Sequence, residues 1–156
     1  MQTAHLHRTL EHFSASRHYY PCCLLVHPDV RHLQTLVADI RTWFNWSTLS
    51  LGTILSAALL AVPPSHRSRS TQSLLTESVR PCAPGPMLCR DIDLLFEPSL
   101  NLNPLQLLQK LSRVTALVVL WPGNADMKHL WYAAPSHPHY RSWSRTELPA
   151  ESVIAV

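Results

Sequence analysis

Charge is what this sequence has least of. Asp, Glu, Lys and Arg make up 15% of its 156 residues, against about 25% in an ordinary soluble domain. A surface so poor in charge is either covered by a partner or belongs to a diverged, poorly soluble chain; composition leaves both open. The net charge of +3, from 13 basic and 10 acidic residues, does not require nucleic acid, because nucleic-acid binders gather their basic residues on one face. The nearest approach to a cluster is His66-Arg67-Ser68-Arg69, which reads as a solvated loop.

Long apolar runs are also missing. The most apolar stretch, Leu49 to Val62, is too short to span a bilayer and is interrupted by Ser and Thr; it reads as a buried helix. No secretory signal is expected at the start, since Met1 to Tyr20 hold four His and no long apolar run. Cys22, Cys23, Cys82 and Cys89 are therefore expected as free thiols in a reducing cytoplasm. Ten His invite a metal, but His5 with His7, His137 with His139, and Cys82 with Cys89 match no zinc spacing. Cys22 and Cys23 read as small core residues. The chain has no Gly-x-Ser-x-Gly elbow, and nothing places a His beside Cys89 to activate it as a nucleophile.

The length suits one domain, large enough to bury roughly 70% of its unfolded surface. Residues 1–20 form a polar, His-rich segment with weak helical periodicity at Leu6, Leu10 and Phe13. After Pro21, Cys22 to Val26 is a continuous apolar run, the pattern of a strand buried on both faces. Beyond His27-Pro28-Asp29, apolar residues at Val30, Leu33, Leu36, Val37, Ile40 and Phe44 follow helical spacing, with Asp29 as N-cap. An extended segment over Trp46 to Leu51 precedes helices at Gly52 to Leu60 and Ser70 to Val79, separated by Pro63-Pro64. Pro81 to Pro86 is a stiff connector. Met87 to Phe96 reads as a second buried strand carrying Asp91 and Asp93. Asn103 caps a helix that has Pro104 in its first position and Leu105, Leu108 and Leu111 on its apolar face. Thr115 to Trp121 is the clearest buried strand, ended by Pro122-Gly123. Leu130-Trp131-Tyr132 is one more short strand, and from Ala133 a tail rich in Pro, His and Ser is expected to wrap the surface.

Strands alternating with helices imply an α/β fold of three layers, a mostly parallel sheet with helices on both faces. The expected organisation is a segment over 1–20, a domain over 21–135 and a C-terminal tail over 136–156. In such sheets ligands bind beyond the C-terminal strand ends, which would gather the loop at His27–Gln34, the pair Asp91 and Asp93, and Trp121-Pro122-Gly123.

Four stretches resemble a known family: Asp91 to Leu100, Asn103 to Arg113, Val118 to Gly123, and Leu130 to Tyr140. Within them Phe96-Glu97-Pro98-Ser99-Leu100 and Pro135-Ser136-His137-Pro138-His139-Tyr140 are the more specific parts. The pattern resembles BrxF, the small P-loop protein of BREX phage-defence systems, best over the C-terminal third. From Cys22 to Arg80 the likeness rests on element order. The resemblance implies a P-loop NTPase-like fold with a phosphate-binding loop directly after the first strand.

A working loop reads G-x-x-x-x-G-K-[ST], its glycines turning backbone N–H groups onto phosphate and its Lys neutralising charge. The corresponding window is His27-Pro28-Asp29-Val30-Arg31-His32-Leu33-Gln34. His27 and His32 stand for the glycines, Leu33 for the Lys, and Gln34 for the hydroxyl residue, with Thr35 next to it. Val30 resists positive φ, Pro28 removes a donor, and Asp29 adds negative charge. Asp91 and Asp93 are the Walker-B-like acids; on a regular strand they share a face.

The sequence thus reads as a non-catalytic, P-loop-like accessory subunit, working without a cofactor as a protein-interaction module. The resemblance implies partners among the subunits of a defence complex, such as an AAA-type ATPase or a methyltransferase assembly; the shortness of the apolar runs leads us to expect no membrane. Trp121 and Trp131 are expected in the core, and Tyr140, Arg141 and Trp143 at the interface. A second reading keeps weak ATP and Mg²⁺ binding through Arg31 and Thr35. A third is a nucleic-acid-binding module using Arg67, Arg69, Arg141 and Arg145 with nearby Trp.

Overall fold

The computed structural model describes residues 3–156. Its sheet is built on β1 (Cys22–His27), a run with no polar residue before its final His and buried on both faces. β1 lies between β4 (Leu117–Ala125) and β7 (Val153–Ala155), parallel to both. β3 (Met87–Arg90) and then β2 (Thr48–Ser50) continue the parallel sheet from β4, giving the order β2-β3-β4-β1-β7. Beyond the parallel region β4 pairs antiparallel with β5 (His129–Tyr132), and β5 with β6 (Arg141–Ser144).

Side chains alternate across a strand, and that alternation divides the core in two. Leu24, Val26, Cys89, Val119 and Trp121 face α3 (Leu51–Leu59), α4 (Arg67–Val79) and α5 (Pro104–Ser112). Cys23, Leu25, Leu88, Val118 and Leu120 face α1 (Thr3–Ala15) and α2 (Val30–Phe44). The result is the expected three-layer α/β architecture, a mostly parallel sheet covered by helices on both faces.

Local chemistry explains the helix ends. The Asp29 side chain accepts from the Arg31 N–H at the start of α2, and Asn45 closes α2 in the left-handed conformation. Asn103 accepts from the Gln106 N–H, and Pro104 takes the first turn of α5, where no N–H is needed. Leu6, Leu10 and Phe13 seat α1 on the sheet, so the described part of segment 1–20 contributes to the core; Met1 and Gln2 lie outside the described residues.

The structure redraws four stretches. β3 stops at Arg90, because Asp91 takes φ 55°, a left-handed backbone that no strand holds; residues Asp93–Phe96 then form a 3₁₀ turn. Pro122-Gly123 do not end β4, which runs on to Ala125. Pro122 has no N–H to give, but its carbonyl accepts the Ala133 N–H at 3.0 Å. A Cβ on residue 123 would collide with the Trp131 carbonyl, so only glycine admits β5 there. Residues 136–156 do not merely wrap the surface, since they supply β6 and β7. The run at His66–Arg69 is not a loop: Arg67 opens α4, and its Nε donates to the Leu59 and Val62 carbonyls at 3.1 and 3.0 Å.

Candidate functional site

The chain leaves β1 into α2 on one face of the sheet, whereas the β5–β6 hairpin after β4 packs Leu130, Tyr132 and Trp143 on the other. Where successive connections depart to opposite faces, an open α/β sheet leaves a crevice at its C-terminal edge. A cavity of about 270 Å³ lies there, lined among others by Pro28, Val30, Asp93, Pro122, Gly123 and Tyr132. The turn after β1, Asp93 and Pro122-Gly123 therefore meet, as the strand order requires.

The turn itself is closed. β1 runs through His27 and α2 begins at Val30, so only Pro28 and Asp29 lie between strand and helix. Val30, Arg31, His32, Leu33, Gln34 and Thr35 are all helical. Asp29 Oδ1 accepts the Arg31 N–H at 2.9 Å, and the Asp29 N–H donates to His27 Nδ1 at 2.9 Å. His27 in turn stacks on His32, ring centroids 4.1 Å apart. A carboxylate thus occupies a helix-terminal donor that an anion would use. Leu33, in the cation position of the window, is buried in the core under α2. Thr35 Oγ1 donates back to the Arg31 carbonyl at 3.0 Å, and the Arg31 and Gln34 side chains are exposed.

Asp91 and Asp93 do not share a strand face. The Asp91 carboxylate accepts from Ser50 Oγ at 2.6 Å and its carbonyl from the Gly52 N–H at 2.9 Å, so Asp91 ties the end of β3 to the start of α3. Asp93 lines the crevice and accepts the hydroxyl of Tyr132. The Tyr132 ring is buried and stacks on Phe96 with centroids 3.5 Å apart. Burial first, and then the Asp93 hydrogen bond and charge, raise the Tyr132 phenol above its ordinary pKa.

A second cavity, of about 300 Å³, lies between two segments that the sequence singled out. Phe96, Glu97 and Pro98 line one side, and Pro138, His139 and Arg141 the other. His139 Nε2 is 3.2 Å from Glu97 Oε2. Arg141 Nη1 donates to the Leu102 carbonyl at 2.7 Å. Tyr140 is half-buried at this rim. Trp143 corrects the sequence reading: it is buried, packed edge-on against Trp121 and Phe96, and is no surface anchor. Trp121 is fully buried as expected, whereas Trp131 is only half-buried. The Tyr132–Asp93 and His139–Glu97 contacts had no signal in spacing, since each joins elements far apart in sequence.

The cations of the nucleic-acid reading are largely spent on backbone carbonyls: Arg67 as above, Arg141 on Leu102, and Arg145 on Asp126 at 2.8 Å. Cys22, Cys23 and Cys89 are buried. Burial pushes the Cys22 thiol up to about 12 and raises Cys23 and Cys89 further, the reverse of an activated nucleophile. Among the described residues no three His, Cys, Asp or Glu side chains gather as a metal site, and no helix is long and apolar enough to cross a membrane.

Fold and site together define a three-layer α/β domain with a closed strand–helix turn and a small crevice at the sheet's C-terminal edge. No family model, no curated protein and no solved structure gave a significant match to the chain.

Proposed function

We propose that the chain is a non-catalytic accessory module of P-loop NTPase ancestry that works through protein contacts. The observation that carries this reading is the turn after β1. A phosphate-binding loop needs several residues of open backbone between strand and helix, and here Pro28 and Asp29 alone remain. The Asp29 carboxylate sits on a helix N-terminal amide and Leu33 points into the core. Neither backbone cradle nor cation is left for a triphosphate.

The P-loop ancestry draws support from topology. The turn follows a central strand, and β4 lies between that strand and β3, after which Asp91 and Asp93 follow. The resemblance to BrxF carries the rest: a role within a multi-subunit phage-defence complex, with a larger ATPase or methyltransferase assembly as partner.

Thermal melting with and without millimolar ATP and Mg²⁺ tests the central point. A ligand at about a hundred times its Kd stabilises by roughly 2.7 kcal/mol, a shift of roughly five to ten degrees for a domain of this size. No shift in folded protein is expected. A shift that disappears in Arg31→Ala would overturn the reading and leave a nucleotide-binding protein. The defence role is tested by phage challenge of cells carrying a complete system with and without this chain; unchanged resistance would sink it.

A further inference from the structure

The crevice at the C-terminal edge of the sheet carries a single charge. Among the described residues that line it, Asp93 alone is an Asp, Glu, Lys or Arg. No cation among the described residues forms an ion pair with it. His137, also in the lining, does not offset Asp93. Its Nδ1 accepts the His139 N–H at 3.0 Å, so that nitrogen carries no proton and the ring is neutral while the bond is made. The start of α2 borders the crevice at Val30, and there the Asp29 carboxylate already accepts the Arg31 N–H. The positive end of that helix thus has an anion of its own.

The carboxylate is also held in one orientation. Its Oδ1 accepts the Tyr132 hydroxyl, and the Tyr132 ring is fixed by its stack on Phe96. Among the described residues no other donor reaches Asp93, which leaves Oδ2 open. One open oxygen suits the point charge of an ammonium, whereas a guanidinium pairs best with two oxygens side by side. The rest of the lining is largely apolar, with Pro28, Val30, Pro122, Ala133 and Ala134. Such walls cover the methylene stem of a long amine while its charged head stays at the carboxylate. At about 270 Å³ the crevice falls just under the roughly 300–1,000 Å³ of small-molecule cavities, and it suits one unbranched side chain. Val30 is 47% exposed, so a protein that delivered the amine would find apolar surface at the rim.

We propose that this crevice receives the side chain of a lysine on a partner protein, its ammonium on Asp93 Oδ2 and its stem along Pro28, Pro122 and Ala133. The Tyr132–Asp93 bond stays in place when the lysine binds, because the two donors use different oxygens. The inference deepens the interaction-module reading and rests on it.

The test titrates the full-length protein with a short peptide, blocked at both ends, that has Lys at its centre. Peptides with norleucine, acetyl-lysine or Arg in that place, and free butylammonium, serve as comparisons. The titration is run at about pH 8, where a free imidazole is neutral and an alkylamine is charged. Affinity and the backbone amide shifts of Asp93, Gly123 and Ala133 are read by NMR. The Lys peptide is expected to move those shifts. Norleucine and acetyl-lysine are each expected to bind about three- to fivefold more weakly, the scale of an ion pair open to water. Arg is expected to bind no more tightly than Lys, and butylammonium more weakly than the peptide. Asp93→Asn keeps an acceptor for the Tyr132 hydroxyl and loses the charge, so the Lys peptide is expected to fall to the norleucine level. Should that variant fail to fold, Tyr132→Phe releases Oδ1, and the Arg peptide is then expected to gain on the Lys peptide. Equal binding of Lys and norleucine, tighter binding of Arg, no shift at these amides, an unaffected Asp93→Asn, or an Arg-to-Lys ratio unmoved by Tyr132→Phe would each overturn the proposal. Butylammonium binding as tightly as the peptide would do so too, and would mark a site for a free amine. A melting shift with ATP beside intact Lys binding would sink the accessory reading alone; absent Lys binding with no ATP shift would sink this inference alone.

Discussion

Tyr132 on β5 donates its hydroxyl to the carboxylate of Asp93 in the turn after β3, and its ring stacks on Phe96 from the same turn. One side chain thus fastens the antiparallel hairpin to the parallel sheet, with a polar tip at the crevice and an apolar body in the core.

Tyr132→Phe separates those two parts. The ring keeps its stacking, and exposed Asp93 can turn to water, so the expected loss is about 1 kcal/mol. Tyr132→Ala also removes the ring from among Phe96 and Trp121 and is expected to cost about 3–5 kcal/mol. Urea unfolding of both variants checks the split. Equal losses would mean that the hydroxyl, and not the ring, holds the hairpin.

The buried thiols give the protein an alkaline weakness. Cys22, Cys23 and Cys89 are held above their ordinary pKa by burial, so the folded chain keeps protons that the unfolded chain releases. The stability tied to them is complete below about pH 8.5, where unfolded thiols titrate, and is lost as pH rises through that value toward about 12 for Cys22. Each thiol contributes a slope of about 1.4 kcal/mol per pH unit in that window, and Tyr132 adds its own above about pH 10. Urea midpoints measured from pH 7 to pH 10 are expected to fall accordingly. Cys22→Ala shifts the whole curve through its lost packing but flattens the alkaline limb by about one thiol. At neutral pH a thiol reagent is expected to modify half-buried Cys82 well before the other three.

Gly123 is where β4 admits β5. A side chain there meets the Trp131 carbonyl, and that carbonyl also accepts the Trp121 indole N–H at 2.8 Å. Gly123→Ala is therefore expected to push the hairpin off and to break the indole bond, at a cost of more than about 2 kcal/mol. Trp121 fluorescence would shift to the red as water reaches the ring. Wild-type melting and emission would show that the hairpin is looser than the packing implies.

Much of the fold was legible because its signals are local. The unbroken run at Cys22–Val26 marks a strand buried on both faces, and Asp29, Asn103 and Pro104 mark helix starts through bonds to their own neighbours. The strands in the Pro- and Ser-rich C-terminal part were not legible. β6 and β7 are too short to show a period, and β7 exists because β1 offers it an edge. Pro122-Gly123 looked like a stop because those residues usually are one. Here an approaching carbonyl makes the glycine necessary. Asp91 and Asp93 were placed on one face by counting along a strand that in fact ends at Arg90, and Asp91 at positive φ sends them to different neighbours. Trp143 could not be told from a surface anchor, since its burial depends on Trp121 and Phe96, which are remote in the chain.

Asp29 separates charge from geometry at the turn after β1, where its carboxylate accepts the Arg31 N–H. If its charge alone repels nucleotide, Asp29→Ala admits it, and ATP raises the melting temperature of the variant but not of the wild type. If the turn is closed by construction, the same variant only loses the cap on the Arg31 N–H, at about 1 kcal/mol, and ATP changes nothing. The second outcome is expected. Leu33 stays in the core whatever occupies position 29, and α2 still begins one residue later, leaving no backbone to wrap a phosphate. Asp29→Asn keeps a side-chain acceptor for the same N–H and is expected to recover most of the lost stability, again without nucleotide binding. Melting curves of the three proteins with and without ATP and Mg²⁺ decide between charge and geometry.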